Sequence, residues 1–263
     1  MSFIKGKNVT IKEGVVIGDN VVLEDDVYID YNCIIRDNVI IKKGTTVGPQ
    51  CILGEYQMDF YDNRDEHLSH PLVIGENSII RSGTIIYGDS IIGHHFQTGH
   101  RATIREHSNI GNYVNAGTLT DIQGYCTIGN YVKMHSNVHI GQKTVIEDFV
   151  WIFPYTVITN DPTPPSGELV GVTIKSFAII ATGSIIMPGI TIEGDSLVAG
   201  GAVVTKNVKE NEVIAGVPGK PISDIRNIKN HVTGEAAYPW RYHFSRGMPW
   251  DGSDYDAWMA NQK

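Results

Sequence analysis

The side chains best suited to proton transfer lie near the middle of this sequence. Asp121 and His139 stand eighteen positions apart, and His135 lies shortly before His139. A carboxylate that accepts a hydrogen bond from one imidazole nitrogen orients the ring and makes the other nitrogen a better base. If the fold brings Asp121 and His139 together, the two residues could act in catalysis, although they could equally form an ion pair on the surface.

Other polar side chains near this pair are of the kinds that hold a polar ligand by hydrogen bonds. Gln97 and Asn115 have the same spacing as Asp121 and His139, and His100 and Glu106 lie between them. We expect these four residues to bind substrate. For His100 and Glu106 the alternative is that they are merely solvated.

An aliphatic residue recurs at every sixth position, and this repeat gives the spacing of the polar residues its meaning. The register runs through residues 11–53, 74–158 and 174–204, which makes 29 hexads. The chain of 263 residues contains 35 Ile and 24 Val but only 7 Leu. Because β-branched residues favour strands and Leu favours helices, a helical protein is excluded.

A strict period of six matches neither the period of two of a single strand nor the 3.6 of a helix. It predicts short strands joined by tight corners, with three hexads closing one triangular coil. We therefore predict an all-β fold, a left-handed parallel β-helix of about ten coils. Residues three hexads apart then lie one above the other, about 4.8 Å apart, so Asp121 should contact His139.

One predicted face of the helix is irregular, because the repeating aliphatic position, here called the core position, is occupied there by Thr98, Ala116 and Met134. Gly99 and Gly117 follow the first two. Stacked glycines would leave a bare strip where a ligand could approach the backbone. Glycine is also ordinary at this place in the repeat, so the strip could have no function.

Two insertions interrupt the repeat, and a segment of different character follows it. The insertions are loops at 54–71 and 160–171. We expect residues 1–206 to form the β-helix domain. Residues 207–263 contain three of the four Trp, and we expect an irregular or helical tail that packs on the helix or on a neighbouring subunit. Contact of the tail with the substrate is the alternative.

The charge and the absence of targeting segments restrict the partners. A net charge of −8 disfavours nucleic acids and anionic membranes, because phosphate groups are bound by basic surfaces. No stretch reaches the roughly 18 apolar residues of a membrane span, and the first residues lack the apolar segment of a signal peptide. We expect a cytoplasmic protein.

The cysteines and histidines indicate neither disulfide bonds nor a metal site. Cys33, Cys51 and Cys126 each stand at the fourth place after a core position, so we expect buried structural thiols. No two of the ten histidines are separated by three or by six hexads, so ligands from adjacent coils would not converge. We expect no metal.

Four stretches resemble the hexapeptide-repeat acyltransferases, and most closely the N-acetyltransferases that act on dTDP-3-amino-3,6-dideoxyhexoses. They are FQTGHRATIRE (96–106), GTLTDIQGYCTIGNYVKMHSNVHIGQ (117–142), IEDFVWIFPYTVITNDPTPPS (146–166) and GSIIMPGITIEGDSLVAGGAVVTKNVKENEVIAGVPGKPI (183–222). The resemblance covers essentially the whole chain. It implies a homotrimer with the active site between two subunits, acetyl-CoA lying along the helix and a nucleotide sugar near the first insertion.

The resemblance also implies roles for individual residues. Lys206 and Lys220 are expected to meet the phosphates of CoA, or else to be solvated surface charges. The residues expected beside the rest of CoA are Ala181 and Gly183 together with Asn160 and Pro162. The residues of the first insertion expected to meet the nucleotide or the sugar are Tyr56, Asp59, Tyr61 and Arg64.

The sequence departs from the family at one informative position. Relatives with a catalytic histidine carry it at the second place before a Cys-x-[IV]-Gly ending, and Gly124 occupies that place here. Either another residue is the general base, His139 with Asp121 first and His135 second, or a neutral amine attacks the thioester unaided. An O-acyltransferase, a longer-chain acyltransferase and a non-catalytic scaffold are the alternative functions.

Overall fold

The computed structural model describes residues 3–262, in which short strands wind into three parallel sheets that run the length of the molecule. The first sheet comprises β1 (Ile4–Lys5), β4 (Val22–Leu23), β7 (Val39–Ile41), β10 (Leu72–Ile74), β13 (Ser90–Ile92), β16 (Asn109–Ile110), β19 (Thr127–Ile128), β22 (Val145–Ile146), β25 (Thr173–Ile174) and β28 (Thr191–Ile192). Each strand pairs in parallel with the strand three elements later.

The second sheet carries the irregular core positions. It comprises β2 (Thr10–Ile11), β5 (Tyr28–Ile29), β8 (Thr46–Val47), β11 (Ile79–Ile80), β14 (Gln97–Thr98), β17 (Asn115–Ala116), β20 (Lys133–Met134), β23 (Trp151–Ile152), β26 (Ile179–Ile180), β29 (Leu197–Val198), β31 (Glu212–Ala215) and β32 (Lys220–Asp224).

The third sheet carries Asp121 and His139. It comprises β3 (Val16–Ile17), β6 (Ile34–Ile35), β9 (Ile52–Glu55), β12 (Ile85–Tyr87), β15 (Thr103–Ile104), β18 (Asp121–Ile122), β21 (His139–Ile140), β24 (Val157–Ile158), β27 (Ile185–Ile186) and β30 (Val203–Val204). Consecutive strands belong to the three sheets in turn, so three strands make one coil.

The predicted fold is confirmed, since this is an all-β parallel β-solenoid consistent with the left-handed form. The sequence predicts about ten coils, and the first and third sheets have ten strands each, whereas the second has twelve. The difference arises beyond the hexad register. There β31 adds to β29 in parallel, and β32 folds back antiparallel on β31.

The core positions form one continuous interior along the axis. From Leu23 to Val204 they are buried, including Thr98, Ala116 and Met134. Burial of the repeated β-branched side chains is the main stabilising contribution to such a narrow prism. The three cysteines are buried free thiols, as expected, and burial raises the pKa of Cys126 to about 11.

Between the first and second sheets, aromatic rings are stacked at the corners of successive coils. His95, Tyr113, Tyr131, Phe149 and Phe177, here called the aromatic ladder, have adjacent ring centroids 4.5 to 5.2 Å apart and nearly parallel planes. Each adopts a positive φ at its corner. The ladder therefore repeats the coil spacing on the outside of the molecule.

The segment after β32 packs on the C-terminal part of the aromatic ladder and of the second sheet. The C-terminal end of the β-helix is here called its upper end. It contains two short 3₁₀ helices, Ile225–Asn227 and Trp240–Tyr242, and the helix α2 (Tyr255–Ala260). Trp240 and Trp250 are buried against the ladder residues Phe149 and Phe177, and the Trp240 indole donates to the Phe177 carbonyl. The tail also forms an ion pair with the β-helix, between Arg241 of the tail and Asp195.

The first insertion contains the helix α1 (Met58–Asp62), and the second has neither helix nor strand. The division of the chain at residue 206 stays a prediction, as does a contact of the tail with a neighbouring subunit. Residues 1, 2 and 263 of the predicted segments lie outside the described residues. Within residues 3–262, no helix is long and apolar enough to cross a membrane.

Substitution of two adjacent residues of β13 tests how much the buried core positions contribute to stability. Ile92 is 1% exposed and Ile91 is 58% exposed. We expect Ile92→Ala to lower the free energy of unfolding by about 2–5 kcal/mol, because it leaves a cavity. Ile91→Ala, its control, should cost about 1 kcal/mol or less. Equal losses in urea denaturation would contradict the assignment of Ile92 to the core.

Candidate functional site

Asp121 and His139 lie side by side on the third sheet. The pairing of β18 with β21 aligns the two residues, and His139 Nδ1 is 3.2 Å from Asp121 Oδ2. Gln123 donates from Nε2 to the same carboxylate oxygen at 2.6 Å. The sequence thus predicts this contact correctly, and its role in catalysis stays a prediction.

The surroundings of Asp121 favour its ionised form. Burial alone would raise the pKa of Asp121, but hydrogen bonds from His139 and Gln123, with the positive charges of His139 and Arg105, outweigh burial and lower the pKa. An ionised Asp121 carboxylate can only accept a hydrogen bond, so it favours the neutral His139 tautomer that carries its proton on Nδ1. Nε2 is then the nitrogen that can accept a proton from a ligand, and the side chain is 39% exposed to receive one.

Arg105 and Glu106 follow the core position Ile104 on the same face, nearer to the first insertion. Arg105 forms a two-point ion pair with Glu106, at 2.8 and 3.1 Å, and its guanidinium lies 5.6 Å from the centre of the Tyr87 ring. Glu106 is only 7% exposed. Its carboxylate is therefore engaged by a neighbour and is less open to a sugar than the sequence suggests.

The other residues predicted to bind substrate are not all in one place. His100 is exposed at the corner between the second and third sheets, where its Nδ1 lies 2.7 Å from Ser82 Oγ. Gln97 and Asn115 lie in register on the second sheet. A single chain therefore presents the predicted residues on two faces.

A groove runs over the second sheet beside the tail. It consists of two adjoining cavities of about 500 and 440 Å³ that share Gln97, Asn115 and Lys133. The first is also lined by His95, Tyr113, Val114, Tyr131, Gly247, Met248, Pro249 and Asp251. The second is also lined by Arg81, Thr98, Gly99, Gly117, Thr118, Met134, His135, Ser136, Trp151 and Arg246.

His135 belongs to this groove and not to the Asp121–His139 pair. Its ring stacks on Phe153 at 4.8 Å, and burial lowers its pKa, so the imidazole is neutral over a wider pH range. Among residues 3–262 no carboxylate pairs with it. His135 and His139 are thus alternatives on different faces.

Gly99 and Gly117 line the groove, but the open strip expected beside them is absent. A Cβ on Gly99 would lie 2.1 Å from the Thr118 nitrogen, and one on Gly117 would lie 2.4 Å from the His135 carbonyl carbon. The next coil fills the space that a side chain would need. These glycines are therefore required by the close stacking of coils.

The residues of the first insertion form a compact aromatic and charged cluster. Tyr56 stacks on Phe60 at 4.0 Å, and the Arg36 guanidinium covers Tyr56 at 4.1 Å. Asp59 accepts from the buried ring of His67 at 3.0 Å, and that interaction lowers the pKa of Asp59.

Two other residues that the sequence assigns to substrate lie at the surface of this insertion. Tyr61 is exposed and packs edge-on against Phe60, and the Arg64 guanidinium lies 5.6 Å from the Phe60 ring centre.

The residues expected to hold CoA are spread over the upper half of the helix. Asn160 lies just above Gly141, since its Cβ is 3.1 Å from the place a Gly141 Cβ would occupy, and Pro162 is exposed on the second insertion. Ala181 follows β26 on the second sheet, and Gly183 lies at the next corner with open space beside it.

The two lysines with expected phosphate contacts lie near the end of the helix. Lys206 follows β30, and Lys220 begins β32, and both are exposed. Neither forms an ion pair with a residue in the part of the chain that the structure describes.

Sequence reasoning missed the aromatic ladder, and it left contact of the tail with a ligand only as an alternative without placing the tail at the groove. The ladder could have been found, because His95, Tyr113, Tyr131 and Phe149 follow one another at intervals of three hexads. The tail residues Arg246 and Met248 could not, because the tail has no repeat to place them. Within residues 3–262, no group of three or more His, Cys, Asp or Glu could hold a metal ion.

Comparison with known proteins finds similarity to acetyltransferases. No family model matches. The galactoside O-acetyltransferase of Escherichia coli is 30% identical over 118 residues, covering 36% of this chain and 58% of that protein. A tetrahydropyridine-dicarboxylate N-acetyltransferase of Staphylococcus aureus is 28% identical over 100 residues, covering 37% of this chain and 36% of that protein. The chain thus spans less than two thirds of the length of these relatives.

Solved structures that align with this chain include two further acetyltransferases. The polySia specific acetyltransferase NeuO aligns with 100% of this chain and 98% of its own at 15% identity, with a TM-score of 0.41. A mutant perosamine N-acetyltransferase from Caulobacter crescentus, in complex with CoA and GDP-perosamine, aligns with 68% of this chain and 70% of its own at 16% identity and a TM-score of 0.37. The sequence matches support the resemblance to hexapeptide-repeat acyltransferases.

The explanation of the glycines can be tested with one substitution and a control. Gly117→Ala forces a methyl group into the backbone of the neighbouring coil and should lower the free energy of unfolding by about 1–3 kcal/mol. Gly167 has no atom within 4 Å of an added Cβ, so Gly167→Ala should change it by about 0.5 kcal/mol or less. A Gly117→Ala protein as stable as the wild type in urea denaturation would contradict this account.

Proposed function

We propose that this chain is a hexapeptide-repeat N-acetyltransferase that moves the acetyl group of acetyl-CoA to the amine of a nucleotide-linked amino-deoxysugar. The first candidate acceptor is a dTDP-3-amino-3,6-dideoxyhexose, whose product would serve bacterial surface-glycan synthesis. The observation that carries the proposal is the imidazole of His139 held by Asp121, in a chain whose sequence is similar to acetyltransferases.

The chemistry follows from this pair. The neutral amine attacks the thioester carbonyl, so a C–N bond forms and the C–S bond breaks as the tetrahedral intermediate collapses. His139 Nε2 takes the proton that the amine loses, and Asp121 stabilises the resulting imidazolium. The proton then passes to the departing sulfur of CoA, which leaves as the thiol.

Two alternatives for the proton belong to the same proposal. His135 is the second candidate base, because its lowered pKa keeps the ring neutral, but it lacks an orienting carboxylate among residues 3–262. In the third case no side chain accepts the proton, and the sulfur of CoA takes it from the amine. The three cases differ in which substitution lowers kcat.

The proposed ligand positions lie towards the two ends of the β-helix, above and below the Asp121–His139 pair. Acetyl-CoA is assigned to the upper end, where Asn160 lies close to the strand of His139, and Lys206 and Lys220 would meet its phosphates. The residues that would lie beside the remainder of CoA are Pro162, Ala181 and Gly183.

The nucleotide sugar is assigned to the lower end of the third sheet, where the first insertion supplies Tyr56, Asp59, Tyr61 and Arg64. This insertion begins at β9, which lies four coils below β21, roughly 19 Å along the sheet.

A homotrimer completes the proposal. Within one chain, His139 lies on the third sheet and Gln97, Asn115 and His135 lie on or beside the second, so these groups do not converge. A cleft between two subunits would allow residues of both sheets to meet one substrate. Light scattering on the purified protein, with a mass near three times 29.0 kDa, would support this assembly.

An O-acetyltransferase acting on a sugar hydroxyl is the second candidate function. It is favoured by the 30% identity to galactoside O-acetyltransferase. A hydroxyl is far less basic than an amine and depends more strongly on a general base.

The test is a thiol-release screen of acetyl-CoA against dTDP- and UDP-linked 3-amino and 4-amino sugars and against galactosides. Release with an amino sugar supports the N-acetyltransferase, and release with galactosides alone supports the second function. Release with a longer acyl-CoA but not with acetyl-CoA would indicate a longer-chain acyltransferase. No release with any acceptor would favour a non-catalytic scaffold.

Removal of the proposed base should act on the chemical step. We expect His139→Ala to lower kcat about 10²- to 10⁴-fold while the affinity for CoA, measured by calorimetry, is unchanged. His231→Ala, at an exposed position of the tail, is the control and should leave kcat unchanged. An unaltered kcat in His139→Ala would eliminate His139 as the base.

A further inference from the structure

The groove on the second sheet has a positive character that the net charge of −8 does not suggest. Lys133 lies at its centre, where the two cavities meet, and Arg81 and Arg246 line the second cavity. Within residues 3–262, none of the three forms an ion pair with a carboxylate. The one acidic side chain of the lining, Asp251, already accepts hydrogen bonds from Gly247 and Ser245 of its own segment.

Lys133 is the most unusual of these cations. Its outward position is in register with Asn115 and Trp151 on the coils below and above, and its side chain is half-buried. Burial lowers the pKa of Lys133, as expected for an ammonium group that has lost water without gaining a partner. A half-buried ammonium group without a counter-ion is costly, and an anion from solution would relieve that cost.

The rest of the lining is suited to a polar and elongated ligand. Gln97 and Asn115 lie in one line with Lys133, and amides can both donate and accept hydrogen bonds. Tyr113 and Tyr131 of the aromatic ladder add hydroxyl groups along the side of the first cavity. The ladder rings stack on one another, so a ligand meets their edges and not their faces.

We propose that this groove binds the anionic part of a saccharide acceptor, with Lys133 contacting its oxyanion and Gln97 and Asn115 contacting adjacent hydroxyl groups. The inference rests on the proposed function for the assignment of the ligand as acceptor. The oxyanion is a phosphate if the acceptor is nucleotide-linked, and a carboxylate if it is an acidic sugar.

Calorimetric titration of the full chain tests the groove without turnover. The probes are dTDP and UDP for the phosphate, glucuronic acid for the carboxylate, and galactose as the neutral sugar. We expect one anionic probe to bind more tightly than galactose and to lose affinity as salt is added, because salt screens the attraction between the anion and the lysine. Binding of dTDP or UDP assigns the phosphate source, and binding of glucuronic acid assigns the carboxylate source.

Substitution of Lys133 supplies the specific test. Lys133→Gln should weaken the bound anion about tenfold or more, since a hydrogen bond to a charged group is lost. Lys133→Arg should retain most of the affinity. Lys42→Gln is the matched control, because Lys42 is also half-buried, directly after β7, and does not line the groove. If Lys133→Gln melts early, Arg81→Gln is measured in its place, with a several-fold loss expected.

Several results would overturn the inference. They are the failure of every anion to bind the wild type, equal affinity in the wild type and Lys133→Gln, and displacement of the anion by CoA. A change of oligomeric state in Lys133→Gln without a change in binding would show that a second copy supplies the counter-ion. Anion binding without thiol release refutes the proposed function alone, whereas thiol release with an unchanged KM in Lys133→Gln refutes this inference alone.

Discussion

The molecule depends on the packing of one buried side chain in every hexad, most often Ile or Val, against the same position of the next coil. That packing, with the parallel ladder bonds it aligns, fixes each coil at three hexads. Every outward side chain then lies above its counterpart one coil earlier in the sequence. Insertions do not disturb this arrangement, because both leave the solenoid at corners and return to the same stack. The outward side chains of successive coils therefore form columns that run parallel to the helix axis.

The columns explain which parts of the site could be predicted. The contact between Asp121 and His139 and the alignment of Gln97 with Asn115 follow directly from their spacing, because the register converts sequence distance into spatial distance. Spacing could not predict that Arg105 turns back onto Glu106, because that contact depends on side-chain conformation at adjacent positions.

Two other features lie beyond the repeat for different physical reasons. The glycines beside Thr98 and Ala116 suggest open space, but the backbone of the next coil occupies it, and only the three-dimensional stacking shows this. The tail has no period, so neither the strand Glu212–Ala215 nor the position of Trp250 on the aromatic ladder follows from pattern. The three Trp of the tail indicate packing without indicating where.

The two polar faces of the chain differ in electrostatic character. On the third sheet, Asp121 and His139 form a pair in which a carboxylate supports a base. On the second sheet, Lys133 lies in a groove without a carboxylate partner among residues 3–262, beside neutral amides. The proposed proton transfer and the proposed anion binding would thus lie on two sides of a corner of the prism in a single chain, and the proposed homotrimer would bring them together.

A double-mutant cycle on kcat/KM for amine acetylation, with Asp121→Asn, His139→Ala and the double variant, tests most directly whether this column is a catalytic unit. If Asp121 acts only through His139, each single substitution lowers kcat/KM, and adding Asp121→Asn to His139→Ala lowers it no further. Independent effects, in which the losses multiply in the double variant, would contradict the account.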